Sequence, residues 1–293
     1  MVDILATEIA RFLNLELVHG ESRILRADDI LEAGPGGMIW LKQYDPQRVL
    51  EINKARPSLV ICDQLTSESI EAPCIVSSNP KMSFLKTLEH YFRDPEPTGI
   101  HPTAIIESGV RLAVDVAIGA YTRIGGNVSV GPRTIIGSGV VIEGRVSMGS
   151  DCRVKSNSVI GSQGFTFERD ENGNPHHFPH IGCIVIGNDV WIGSCTTIER
   201  GGLGSTTIQS GVKIDDLVQI GHNTFVGKNT LIMANMVLCG GASIGENCWL
   251  APNSVVKQKV HVGNDCVVGL GAVVLKDVPN GATVAGVPAR VIC

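Results

Sequence analysis

The chain has 293 residues, more than one compact domain usually takes, and a formal charge of −5 with no run of Lys or Arg. Two structural units are therefore expected, and nucleic acid is not expected as a partner. No stretch approaches the ~18 consecutive apolar residues of a membrane-spanning helix, and the N-terminal MVDILATEIARFLNLEL carries acids where a secretory leader is basic, so a cytoplasmic protein without stable membrane insertion is expected.

In chain order, residues 1–97 read as a small α/β domain, with helical spacing over 4–15 and 82–92 and strand-like runs at 58–62 and 73–76. The segment DPEPTG at 94–99 holds two prolines and reads as the linker. The nine cysteines, from Cys62 to Cys293, include no CxxC pair and are expected to be buried packing residues in a reducing compartment.

From residue 98 to the end the pattern changes. Glycine is abundant (34 residues) and aromatics are scarce (4%), which points to short strands and tight turns. An aliphatic residue recurs every six positions from Ile106 to Ile160, resumes at Ile186, Ile192 and Ile198, shifts by four, and runs from Ile208 to Val274. A six-residue period fits neither a helix nor a hairpin, but it fits a left-handed parallel β-helix in which each face of a triangular coil is one hexapeptide. One hexapeptide cannot bury its aliphatic side chain alone, whereas stacked coils align these side chains into a dry interior. The fold class expected is mainly β, about eight coils joined to the small N-terminal α/β domain. The breaks at 161–182 and 200–206 are expected to be loops expelled from the prism.

Residues one coil apart become neighbours on an edge. With the insertion removed, that rule stacks Arg200, His222, Gly240, Gln258 and Lys276. A neutral imidazole at 222 offers a base, and the Gly240 N–H offers an oxyanion donor free of Cβ hindrance; acyl transfer to an amine needs both. No GxSxG motif is present and no cysteine is paired by sequence with a histidine, which favours direct attack of an amine on a thioester over a covalent acyl-enzyme. Asp215 and Asp216, one hexapeptide earlier, are the candidates for orienting the ring. A zinc site would need three converging histidines, whereas the regular coils carry only His222 and His261, so no metal is expected.

Five segments carry a family resemblance: EAGPGGMIWL (32–41), GIHPTA (99–104), VIGSQGF (159–165), TTIERGGLGSTTI (196–208) and QIGHN (219–223). Over about residues 1–275 the chain resembles the UDP-3-O-acylglucosamine N-acyltransferases of lipid A biosynthesis. The resemblance implies a homotrimer with sites between subunits, His222 as general base and Gly240 as oxyanion donor. It also implies a nucleotide-linked amino sugar whose base lies against Trp40 and Tyr44. Phe165, Arg200 and Asn223 are the remaining substrate-binding candidates.

The sequence also departs from that family. The stretch 99–161 is about one coil shorter, Asp216 stands where an Asn is usual, and the end KDVPNGATVAGVPAR (276–290) resembles coenzyme A-dependent acetyltransferases. This resemblance implies that Gln258, Lys276 and Arg290 hold the cofactor. The reading placed first is therefore transfer of an acetyl or short acyl group from acyl-coenzyme A to a nucleotide-linked amino sugar for cell-surface glycans. The lipid A step with acyl carrier protein as donor is placed second, and a noncatalytic scaffold third.

Overall fold

The computed structural model describes residues 2–292, and Cys293 lies outside them. The chain divides between Glu96 and Pro97 into two compact units.

The first unit is built on a five-stranded sheet in the order Leu17–Val18, Cys74–Val76, Leu59–Cys62, Gly37–Trp40, Arg26–Ala27. It is parallel except at the Leu17–Val18 edge. Alternate residues feed two cores, Leu59 and Ile61 into one and Val60 and Cys62 into the other, because successive side chains of a strand point to opposite faces. Helices Pro46–Ala55 and Pro80–Thr87 begin at Asp45 and Asn79, whose side chains accept backbone N–H bonds, each followed by a proline. The helix expected over 4–15 is confined to Ala6–Leu13, since Ile4–Leu5 pairs as a strand with Arg23–Ile24. The helix expected over 82–92 starts earlier and ends in a π turn, Leu88–Phe92.

The second unit is a left-handed parallel β-helix with sheets of ten, nine and eight strands. The terminal coils thus make it somewhat deeper than the eight expected. Successive rungs pair eighteen residues apart, as in Gln219↔Val237↔Val255↔Val273. Every six-period aliphatic residue from Ile118 to Val274 is buried in one continuous core, while Ile106 and Leu112 at the open end are half-buried. Each such side chain contributes about 1.5–3 kcal/mol.

The corners follow a rule that the aliphatic pattern does not reveal. Three residues past many of the inward side chains the backbone takes a positive φ, at Asn223 (59°), Asn229 (56°), Asn235 (61°) and Asn253 (58°) among others. Asn and Asp tolerate this region because their short side chains bond locally. Cys195 occupies such a corner at φ 55° and is exposed. It is a correction to the expected burial of the cysteines, of which Cys62, Cys74, Cys152, Cys248 and Cys266 are buried.

Both breaks leave the prism. Arg145 pairs with Cys183 and Cys183 with Ser205, so the ladder continues across each insertion. The longer loop carries an antiparallel hairpin, Phe167–Arg169 with Pro175–His177. It departs through a bulge at Gly161, where φ is 103° and a Cβ would collide with the Glu143 carbonyl oxygen. The shorter loop is tighter than expected, since the strand resumes at Ser205. Among the described residues no helix is long and apolar enough to cross a membrane.

Candidate active site

His222 lies at the corner following the strand Gln219–Ile220 and is half-buried. Ile198 pairs with Ile220 and Leu238 pairs with Ile220 from the next coil, which stacks Arg200, His222 and Gly240 along one edge. The imidazole presses on the glycine above it: a Cβ on Gly240 would sit 2.5 Å from His222 Nε2 and 2.8 Å from Cε1. Among the described residues the Gly240 N–H has no hydrogen-bond partner.

The orientation of the ring is fixed by its own corner. His222 Nδ1 lies 3.0 Å from Asn223 Oδ1, an atom that also accepts the Gly202 N–H at 2.9 Å. That second bond identifies Oδ1 as an acceptor, so Nδ1 carries the proton and Nε2 keeps its lone pair. Asp215 and Asp216 do not perform this role within the chain. Asp216 accepts from Ser194 N–H and Lys155 Nζ, and Asp215 accepts from the Asp216 N–H; both corners face away from the imidazole edge.

Three neighbours of His222 escape the sequence rule. Glu199 accepts the His222 backbone N–H at 3.0 Å and the Gln219 amide at 2.9 Å. Burial pushes its carboxyl above the usual value, against those two bonds and the charge of His222. The signal lay in the stacking register, because Ile198 lies under Ile220 and so places Glu199 below Gly221, next to His222. The other two come from the long loop, which folds back over the ring. Thr166 Oγ1 is 3.1 Å from His222 Nε2, and the buried His180 stands edge-on to His222 with ring centroids 4.8 Å apart. Gly164 admits this approach, since a Cβ there would lie 2.8 Å from His222 Cδ2. No feature of the irregular 161–182 segment shows in the sequence that it returns to this edge.

The other candidates are distributed unevenly. Arg200 reaches down the edge over Gly144, with its Nε buried and unpaired. Phe165 stands on the loop almost fully exposed, its ring 4.8 Å from Phe167. Gln258, Lys276 and Arg290 are exposed, and Arg290 Nη1 donates to the Ala289 carbonyl. In the first unit Trp40 lines a cavity of about 580 Å³ with Phe84, Lys42, Arg48 and Asp28. Lys81 Nζ lies 5.8 Å from the Trp40 ring. Tyr44, on the exposed loop before helix Pro46–Ala55, does not line that cavity.

A left-handed hexapeptide coil is a fold shared by bacterial acyltransferases. Family profiles described as "Bacterial transferase hexapeptide (six repeats)" and "Hexapeptide repeat of succinyl-transferase" match residues 241–276 and 217–258. The chain is 36% identical to a UDP-3-O-acylglucosamine N-acyltransferase of Methylacidiphilum infernorum over 94% of this chain and 84% of the relative. It is 35% identical to one of Delftia acidovorans over 97% and 86%. Among solved structures it is similar to the UDP-N-acetylglucosamine acyltransferase of Francisella novicida, with a TM-score of 0.60 at 26% identity over 66% of this chain and 69% of that one. The chain belongs to the UDP-3-O-acylglucosamine N-acyltransferase family and is an acyltransferase. These relatives favour the lipid A reading placed second above over the coenzyme A reading placed first.

Proposed function

We propose that the protein N-acylates a UDP-3-O-acylglucosamine, taking the acyl group from acyl carrier protein, and works as a homotrimer. The observation that carries the reading is the His222 imidazole, with Nε2 unprotonated, packed where a Gly240 side chain would stand, beside a glycine whose N–H is unpaired among the described residues. In the reaction, Nε2 takes a proton from the sugar amine as its nitrogen bonds to the thioester carbonyl carbon. The Gly240 N–H faces the resulting oxyanion. The C–S bond then breaks, and the departing thiolate takes the proton back from Nε2, leaving an amide and a free thiol. Asn223 holds the imidazole and Glu199 the backbone N–H of His222, and the Trp40 cavity takes the nucleotide base. Identity over almost the whole length of relatives named for this reaction supports the substrate.

The test supplies purified protein with UDP-3-O-acylglucosamine and either acyl carrier protein or coenzyme A thioesters. Turnover with the carrier thioester is expected, together with a loss of about a hundredfold or more in His222→Ala. Turnover with coenzyme A thioesters alone restores the donor placed first, and an unaffected His222→Ala removes the mechanism.

A further inference from the structure

The Thr166 hydroxyl sits between two imidazoles, 3.1 Å from His222 Nε2 and 3.4 Å from His180 Nε2. One anchored proton sets the direction of every bond in the chain. Asn223 Oδ1 accepts from Gly202, so His222 Nδ1–H donates to it and Nε2 is bare. The Thr166 O–H must then donate to Nε2, which leaves its oxygen lone pairs to receive His180 Nε2–H. His180 agrees with that assignment, because its other nitrogen, Nδ1, is buried and has no partner. A buried N–H without an acceptor is costly, so the proton belongs on Nε2, where a partner exists.

From this arrangement we infer that Thr166 is a positioning residue that holds the neutral His222 ring as its Nδ1–H tautomer, with Nε2 bare, in the empty site and changes from donor to acceptor when the base takes up a proton. Nε2 has a single lone pair, so the incoming amine and the hydroxyl cannot both donate to it. As the amine delivers its proton, the Thr166 O–H turns away and the oxygen accepts the new Nε2–H. His180 holds the oxygen in place throughout. The hairpin supports this geometry from behind, through the bond from Phe178 N–H to the Thr166 carbonyl at 2.8 Å. The inference rests on the role proposed for His222, and it adds that the loop at 161–182 tunes that base.

The groups facing His222 are the Glu199 carboxylate from the coil below, His180 from the loop, and Asn223 beside it. His180 is itself neighboured by His177 and Arg200. Burial pushes the His180 imidazole below its ordinary value, the direction that favours the neutral ring used in these bond assignments.

The test is a titration of the imidazole nitrogens by NMR in protein labelled with ¹⁵N-histidine, without substrate. The hydroxyl bonds Nε2 in both states of the ring, and the bond to the charged ring is the stronger, so Thr166→Val should lower the His222 midpoint by about half to one pH unit, the size of one hydrogen bond. Thr166→Ser should keep the wild-type midpoint, as should His180→Gln, whose amide N–H replaces the Nε2 donor. In a folded Thr166→Val protein an unmoved midpoint overturns the inference. If that variant does not fold, the wild type still decides, since finding its His222 proton on Nε2 at neutral pH overturns the inference equally. Because the titration involves no turnover, it stands apart from the acylation assay: an inactive protein with the expected shift refutes the proposed reaction and not the role of Thr166.

Discussion

Replacing Gly240 with alanine separates the site from the fold with one methyl group. The new Cβ would lie 2.5, 2.8 and 2.9 Å from Nε2, Cε1 and Cδ2 of His222, against the 3.4 Å at which ordinary contact begins. The ring must withdraw by about 0.9 Å to clear the nearest atom, and it has space to do so because His222 is half-buried at an edge. Gly240 does not have a positive φ, so the backbone accepts the alanine. Misplacing a reacting group by ~1 Å costs about a hundredfold in rate. The expected result is turnover reduced about a hundredfold with little change in melting temperature. Gly241→Ala is the control. Its φ is 72° and its Cβ would meet only Lys259 Cγ at 3.4 Å, so it should cost ~1–2 kcal/mol of stability while the folded protein turns over normally. Steady-state kinetics and thermal melts of the pair give the answer. If Gly240→Ala keeps turnover within about threefold of wild type, the imidazole does not act from where it stands.

Three further outcomes are expected. Trp40→Ala should weaken UDP binding about tenfold, within the range for loss of base stacking, and leave the fold intact; calorimetry giving wild-type affinity would return Trp40 to a packing role. Ile220→Ala, at a fully buried position below the catalytic edge, should cost ~2–5 kcal/mol in chemical denaturation. At the hairpin tip, Asp170 is held down to about 2 by the His176 side chain, then by Asn174. A depressed carboxyl contributes its stabilisation above its ordinary value of 3.8 and loses it as pH falls towards 2. The protection of amides across 170–176, taken relative to intrinsic exchange at each pH, should therefore be unchanged at neutral and mildly acidic pH and fall between about pH 4 and 2; a fall already at pH 6 would contradict this.

The β-helix was legible in the sequence because its period is a local property: every sixth side chain must be aliphatic for a coil to have an interior. The same period, corrected for a four-residue insertion, sets His222 beside Gly240. Two errors in the site share one cause. Asp215 and Asp216 are candidates for the ring as acids one hexapeptide earlier, yet each hexapeptide turns the chain to another face. Glu199, twenty-three positions away, reaches the His222 N–H because the coils stack.

By itself, then, the sequence determined the prism, its core and the edge on which an imidazole and a glycine meet, since repetition converts spacing directly into height and face. The tertiary structure alone decided what surrounds that edge. The 161–182 loop has no period, and its return over His222 depends on a Gly161 bulge, a hairpin and the absence of a side chain at Gly164. Those are long-range packing facts, and no local pattern encodes them.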